Sequence, residues 1–229
     1  MELKRSILEI DNERIVCESL VRKDNVVILH GAGASNRKRY YALARAITRR
    51  GYGVILFDFS GHGDSTGELR HLSLARRLLQ ARGVVDAIVP KESKLYLIGF
   101  SMSGQTICDL LPAYGERVQA ILLGCPGIYT QSAQAMAFGG GEFTTKIRVA
   151  DSWKDSVAFS ELSDFEGKAV IVIGEHDQVI PGEVVTSLKL AAKHPTYIEY
   201  PDVDHQLAVW LAAHSDEQEK LLDVLFDEN

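Results

Sequence analysis

Short apolar runs alternate with longer amphipathic segments along most of the chain. Val26–Leu29, Val54–Phe57, Val118–Leu123 and Lys168–Gly174 are nearly continuous in Val, Ile, Leu and Phe, as expected of strands covered on both faces. Lys94–Ile98 and Tyr197–Tyr200 read as further strands. Arg37–Arg50 sets Tyr40, Leu43, Ala44 and Ile47 at i, i+3, i+4 and i+7, a helical stripe that ends at Gly51. Leu72–Ile88 reads as a second helix, interrupted at Gly83, and a third runs from about Gln105 through Leu111. This alternation predicts an α/β domain: a mostly parallel sheet with helices on both faces. The start of the chain differs. Ser6–Ile10 and Arg14–Leu20 are strand-like and are joined by Asp11-Asn12, which predicts an antiparallel hairpin.

One stretch breaks the alternation. Between Pro126 and Gly167 no strand is evident, and Ser132–Phe138 and Asp151–Leu162 are expected to form short helices around Gly139-Gly140-Gly141. Two readings stay open for residues 127–166: a small mobile cap, or an ordinary surface excursion with a flexible loop. Tyr129, Met136, Phe138, Phe143 and Trp153 are its large apolar residues, and they either line a pocket or anchor the segment to the core.

Composition narrows the class. At 229 residues the chain suits one domain, residues 1–229, with a sizeable core. A net charge of -6 gives no reason to expect nucleic acid as a partner. The three cysteines, Cys17, Cys108 and Cys125, lack metal-ligand spacing and suggest reduced thiols in a cytoplasmic protein. Met1–Arg5 is charged, with no long apolar segment behind it, so neither a leader nor a membrane span is expected.

The chemistry centres on Gly99-Phe100-Ser101-Met102-Ser103-Gly104, where a strand runs through a tight turn into a helix. The pattern approximates Gly-x-Ser-x-Gly, with Ser103 in place of the second glycine. A serine hydroxyl needs a base to take its proton and a third group to orient that base. Asp177 and Glu175 follow the strand ending at Gly174, and His205 follows the strand ending at Tyr200. A serine, an acid and a histidine thus each stand just past a strand, in the order Ser101, Asp177 or Glu175, His205. The bland alternative for Ser101 is a small residue that a tight turn requires. Cys125 follows the strand Val118–Leu123 and so belongs at the same edge, as a wall of any pocket there.

With His30-Gly31-Ala32-Gly33 and Asp58-Phe59-Ser60-Gly61-His62-Gly63-Asp64-Ser65, these motifs make the chain resemble a small bacterial-type α/β hydrolase with a serine nucleophile, from about Val26 onward. The resemblance implies a Gly-x-x-Asp-x-x-Val/Ile-Pro pattern, met by Gly174, Asp177, Ile180 and Pro181, so it favours Asp177 over Glu175. It implies structural roles for His30 and His62. Backbone N–H groups of Ala32 and Met102 are the expected oxyanion donors. The implied activity is hydrolysis of a small or medium carboxylic ester, with no cofactor and no metal. A thioester or amide substrate, and a non-catalytic binder on the same fold, remain as alternatives. Oligomeric state and the identity of the substrate stay open.

Overall fold

Asp11 and Asn12 both take positive φ, 57° and 58°, the geometry of a tight hairpin turn. They join β1 (Lys4–Ile10) to β2 (Glu13–Leu20) in an antiparallel pair. The structure, a computed structural model, describes residues 2–227. Six further strands follow: β3 (Asp24–Leu29), β4 (Gly53–Phe57), β5 (Lys94–Phe100), β6 (Val118–Gly124), β7 (Lys168–Gly174) and β8 (His194–Tyr200). All eight form one sheet in the order β1-β2-β4-β3-β5-β6-β7-β8. β2 pairs antiparallel with β4, and every later pairing is parallel. The carboxyl ends of β3 and β5–β8 therefore share one edge, where ligands of open α/β sheets bind.

The helices are α1 (Tyr41–Arg49), α2 (Leu74–Ile88), α3 (Ser103–Tyr114), α4 (Glu142–Ile147), α5 (Ala158–Asp164), α6 (Gly182–Ala191), α7 (Leu207–Ala213) and α8 (Ser215–Phe226). α2, α3, α5 and α6 pack one against the next on one face. α1 and α8 pair on the other, joined by Arg49 to Glu219 at 2.6 Å and by Arg50 to Glu219 and Asp223. The strands between them are buried almost throughout, as their apolar runs require. No helix among the described residues is long and apolar enough to cross a membrane.

Several elements depart from the periodicity, each for a packing reason. The stripe at 37–50 is two elements: a 3-10 turn at Arg37–Tyr40, then α1. Asp58 draws the turn inward. Its Oδ1 accepts from the Arg37 N–H at 2.7 Å, and its other oxygen pairs with the buried Arg37 guanidinium. α2 passes Gly83 unbroken; a Cβ there would come within 2.9 Å of Ile10, so the glycine admits β1 rather than ending the helix. α3 continues past Leu111 through Pro112 to Tyr114. A proline so near the end forfeits little of the hydrogen-bond ladder.

The excursion between β6 and β7 also differs. Ser132–Phe138 is not a helix. Only a turn at Gln131–Ala133 forms, because the backbone then bonds elsewhere: Phe138 N–H donates to Leu72 O at 2.8 Å and Gly139 N–H to Arg70 O at 2.9 Å. Gly140 and Gly141 both have φ of 85°, a left-handed turn that leads into α4. The expected helix at Asp151–Leu162 splits into a 3-10 turn at Ser152–Asp155 and α5. The first half of the excursion forms a separate apolar cluster: Met136, Phe138, Phe143 and Tyr129 pack with Leu74, Met102 and Ala32. In the second half Trp153 and Leu162 join the main core.

Gln105 pins both halves from α3. Its Oε1 accepts from Tyr129 N–H at 2.9 Å and from Ser156 Oγ at 3.0 Å, and its Nε2 donates to Asp109 at 2.8 Å. Burial raises the Asp109 carboxyl from 3.8 to about 6, against the opposing pull of the Gln105 hydrogen bond. The folded chain then holds this proton more tightly than the unfolded chain. Stability from this site is therefore greatest at low pH and falls as pH rises from 3.8 to about 6. Asp109→Asn keeps an acceptor for Gln105 and removes the buried charge. It is expected to stabilise the protein near neutral pH by on the order of 1–3 kcal/mol, with the gain vanishing in acid. Urea denaturation at two pH values checks this.

Candidate active site

Ser101 directly follows β5 with a φ of +54°, a left-handed conformation that costs a non-glycine residue about 1–3 kcal/mol. The turn is held from three sides. Ser101 N–H donates to Gly124 O at 2.8 Å, and Ser101 O accepts from the N–H groups of Gly104 and Gly127, each at 2.8 Å. A Cβ on Gly99 would lie 2.6 Å from Ile107, and one on Gly104 would lie 2.6 Å from Pro126, so the crowding falls at these two positions.

Position 103 has room for a serine, and the serine is used. Ser103 is fully buried, and its Oγ donates to His30 O at 2.7 Å. Arg77 Nη2 reaches the same carbonyl and the Ser103 Oγ, both at 2.7 Å. The start of α3 is thereby tied to the loop after β3. Arg77 is itself fully buried, with no carboxylate within ion-pair distance among the described residues. Burial pulls its pKa down to about 9, and its guanidinium sits 3.8 Å over the Phe59 ring.

His205 Nε2 lies 2.9 Å from Ser101 Oγ, and His205 Nδ1 lies 2.9 Å from Asp177 Oδ2. A proton on Nδ1, donated to the carboxylate, leaves Nε2 to accept from the serine hydroxyl. Asp177 Oδ1 accepts from the N–H groups of Val179 at 2.8 Å and Ile180 at 3.1 Å. Burial by itself would raise the Asp177 pKa; the hydrogen bonds from His205 and these two N–H groups outweigh it and hold the carboxyl below its ordinary value. Glu175 is exposed, and its Oε2 accepts from Asp202 N–H at 3.3 Å, away from His205. The loop bearing His205 is fixed by His176 N–H to Val203 O at 2.9 Å. Gly174 lets it pass, since a Cβ there would meet Val203 O at 2.1 Å.

The N–H groups of Ala32 and Met102 have no hydrogen-bond partner among the described residues. Their side chains share the small apolar cluster, which brings the two turns together beside Ser101. His30 and His62 are structural. His30 Nδ1 bonds Gly31 O at 2.6 Å and its Nε2 accepts from Phe59 N–H at 3.0 Å. Its pKa is held well below the ordinary value, chiefly by burial. His62 Nδ1 bonds Ser60 O at 3.1 Å.

A cavity of about 80 Å³ opens at Ser101 and His205. Cys125, with φ of 45°, is part of its wall. Tyr129, Met136, Phe138 and Trp153 are not: the first three belong to the apolar cluster under Met102, and Trp153 packs on Phe159 in the main core. Cys125, Asp177 and His205 hold donor atoms within 4.8 Å of one another, as do the exposed Glu175, His176 and Asp202. In the first trio the histidine and carboxylate already bond each other. Burial and the Asp177 charge push the Cys125 thiol up, so it stays protonated and a poor metal ligand. A larger groove of about 920 Å³ lies at the opposite edge, bounded by the first residues of β5–β8: Lys94, Val118, Lys168 and His194. It holds none of the groups above.

Residues 21–160 match the family described as "Serine aminopeptidase, S33", which is more than half of the chain. The chain belongs to this family of α/β hydrolases. The matched span stops before Asp177 and His205, which stand on geometry. The uncharacterized protein YfhR of Escherichia coli (strain K12) is 29% identical over 192 residues, 80% of this chain and 64% of that protein. The chain thus spans a little under two thirds of that relative's length. Among solved structures, an esterase from Exiguobacterium antarcticum is 18% identical with a TM-score of 0.74, covering 96% of this chain and 99% of that one. A thioesterase domain from the curacin biosynthetic pathway is 16% identical with a TM-score of 0.73, covering 97% and 100%. At such identities the likeness concerns the fold alone.

The sequence reading missed three arginines. Arg37 and Arg39 sit in the basic run Arg37-Lys38-Arg39, which looks like solvated surface; Arg77 sits beside Arg76 in the same way. The signal for Arg77 was its place on the apolar side of α2, between Leu74 and Ala81. Ser103→Ala would remove a hydroxyl that both donates and accepts in a buried network. It is expected to lower stability by about 1–3 kcal/mol, since it leaves buried groups less satisfied. A serine-directed fluorophosphonate should still label Ser101, and denaturant melts with mass spectrometry of the labelled protein check both parts.

Proposed function

We propose that the chain is a serine hydrolase acting on a small carboxylic ester through an acyl-enzyme. The observation that carries this is the unbroken line from Ser101 Oγ to His205 to Asp177, 2.9 Å at each step. Ser101 Oγ attacks the ester carbonyl as its proton passes to His205 Nε2, and the carbonyl π electrons move onto oxygen. Asp177 steadies the imidazolium. The tetrahedral oxyanion accepts hydrogen bonds from Ala32 and Met102 N–H, with the start of α3 behind the latter adding its positive dipole end. Collapse expels the alcohol, which takes the proton from His205. Water then attacks the acyl-enzyme by the same route, releasing acid and restoring Ser101.

An ester is favoured over a free peptide amino terminus by the charge of the pocket. Recognition of an ammonium group calls for a carboxylate in the wall, and the cavity wall contains none; its cation is Arg39. The small volume supports a short acyl chain.

The test is labelling of the purified protein with a fluorophosphonate, located by peptide mass spectrometry. Alongside it runs a panel of 4-nitrophenyl esters and acyl-CoA thioesters of graded length. Label on Ser101 with turnover of short esters is the expected result. Neither label nor turnover would overturn the reading in favour of a non-catalytic binder; faster turnover of the thioesters would move it to a thioesterase.

A further inference from the structure

The basic run Arg37-Lys38-Arg39 is divided by the fold into three environments. Arg37 is buried against Asp58, Asp64 and Glu18. Lys38 Nζ lies 3.4 Å from Asp64. Arg39 instead lines the cavity that holds Ser101 and His205. It is half-buried, and its guanidinium makes no ion pair or side-chain hydrogen bond among the described residues.

The rest of the wall matches this cation with nothing acidic. Apart from Ser101 and His205, every other residue of the wall carries an uncharged side chain or none. The nearby carboxylate, Asp177, is already engaged by His205 and two backbone N–H groups. Ser35 adds an independent sign. Its hydroxyl is buried in the same wall and has no hydrogen-bond partner of normal geometry, although Tyr40 is close by. A half-buried arginine without a counter-ion, in one cavity wall with a buried hydroxyl that lacks a hydrogen-bond partner and with the reacting serine, suits an anion with several acceptor oxygens.

We infer that Arg39, with Ser35, forms a carboxylate-binding subsite, so that the substrate is a short ester carrying a carboxylate near the scissile carbonyl. The ester part rests on the serine-hydrolase reading; the anion part does not. The carboxylate could belong to the acyl chain, as in the hemiester of a dicarboxylic acid, or to the leaving group.

Two pairs of probes separate these sources. 4-Nitrophenyl hydrogen succinate is compared with 4-nitrophenyl pentanoate for the acyl side, and 4-acetoxybenzoate with 4-acetoxybenzamide for the leaving side. In one pair the charged ester should have the higher kcat/KM. Arg39→Gln should cut that preference by about 10-fold or more, mainly through KM, with Arg39→Lys recovering part of it. Added salt should narrow the preference in the wild-type protein, because the guanidinium is not fully buried. Equal losses on charged and neutral esters in both pairs would overturn the subsite.

A binding measurement keeps the two readings apart. Succinamate, which carries the anion but no ester, should bind the Ser101→Ala protein in calorimetry about 10-fold more tightly than it binds Ser101→Ala/Arg39→Gln. Butyramide should show no such difference. Arg39-dependent succinamate binding in a protein that turns over no ester would uphold the subsite and sink the hydrolase reading. Ester turnover with Arg39-independent succinamate binding, together with equal losses on charged and neutral esters in both probe pairs, would do the reverse.

Discussion

Ser101→Ala is expected to lower ester turnover by about 10⁴-fold or more and to abolish fluorophosphonate labelling. The variant lacks the oxygen that meets His205 Nε2 at 2.9 Å, and no other hydroxyl is within hydrogen-bond distance of that nitrogen among the described residues. Ser103 is not a substitute, since its Oγ is committed to His30 O and Arg77. The fold should survive. Alanine must still take the φ of +54°, so the strain is unchanged, whereas Ser101→Gly relieves it and should melt higher by about 1 kcal/mol of stability or more. Turnover assays, labelling and thermal melts on the three proteins check this. Retained labelling in the alanine variant would assign the nucleophile elsewhere.

Asp177→Asn should lower kcat on the order of 10⁴-fold with the fold intact. The reason lies in the pairing of its two oxygens. Val179 and Ile180 N–H groups both point at Oδ1 and demand an acceptor there. An asparagine must therefore turn its carbonyl to the backbone and its NH₂ to His205 Nδ1. The imidazole then carries its proton on Nε2 and cannot take one from Ser101. Glu175→Gln should leave turnover close to wild type, because Glu175 is exposed and its contact is to Asp202 N–H. The pH profile supplies a second readout. Asp177 is held below its ordinary pKa, so it adds stability above that value which is lost as pH falls through the folded pKa. Asp177→Asn should flatten this part of the acid limb. Comparable kinetic losses in the two variants would mean that the carboxylates share the role.

The periodicity and the strand-end motifs were enough for the α/β class, the hairpin at Asp11-Asn12 and the apolar stripe Tyr40, Leu43, Ala44 and Ile47. Each of these depends on local spacing, which a sequence displays directly. The chain order Ser101, Asp177, His205 was legible for the same reason: a parallel sheet delivers the residue after each strand to one edge. What sequence could not decide were contacts between segments far apart in the chain. The choice between Asp177 and Glu175 came in the sequence from a family pattern; in the structure it follows from which carboxylate the loop after β8 meets. Ser103 looked like a flaw in the motif because its partners, His30 O and Arg77, lie 73 and 26 residues away. Trp153 and Met136 were equally apolar in sequence, and only the fold put one in the main core and the other in the small cluster with Met102. Arg37 and Arg39 are two residues apart in one basic run. A 3-10 turn, set by Asp58 from the end of β4, buries the first among carboxylates and leaves the second unpaired in the wall of the cavity at Ser101, a difference of electrostatic surroundings that no local pattern encodes.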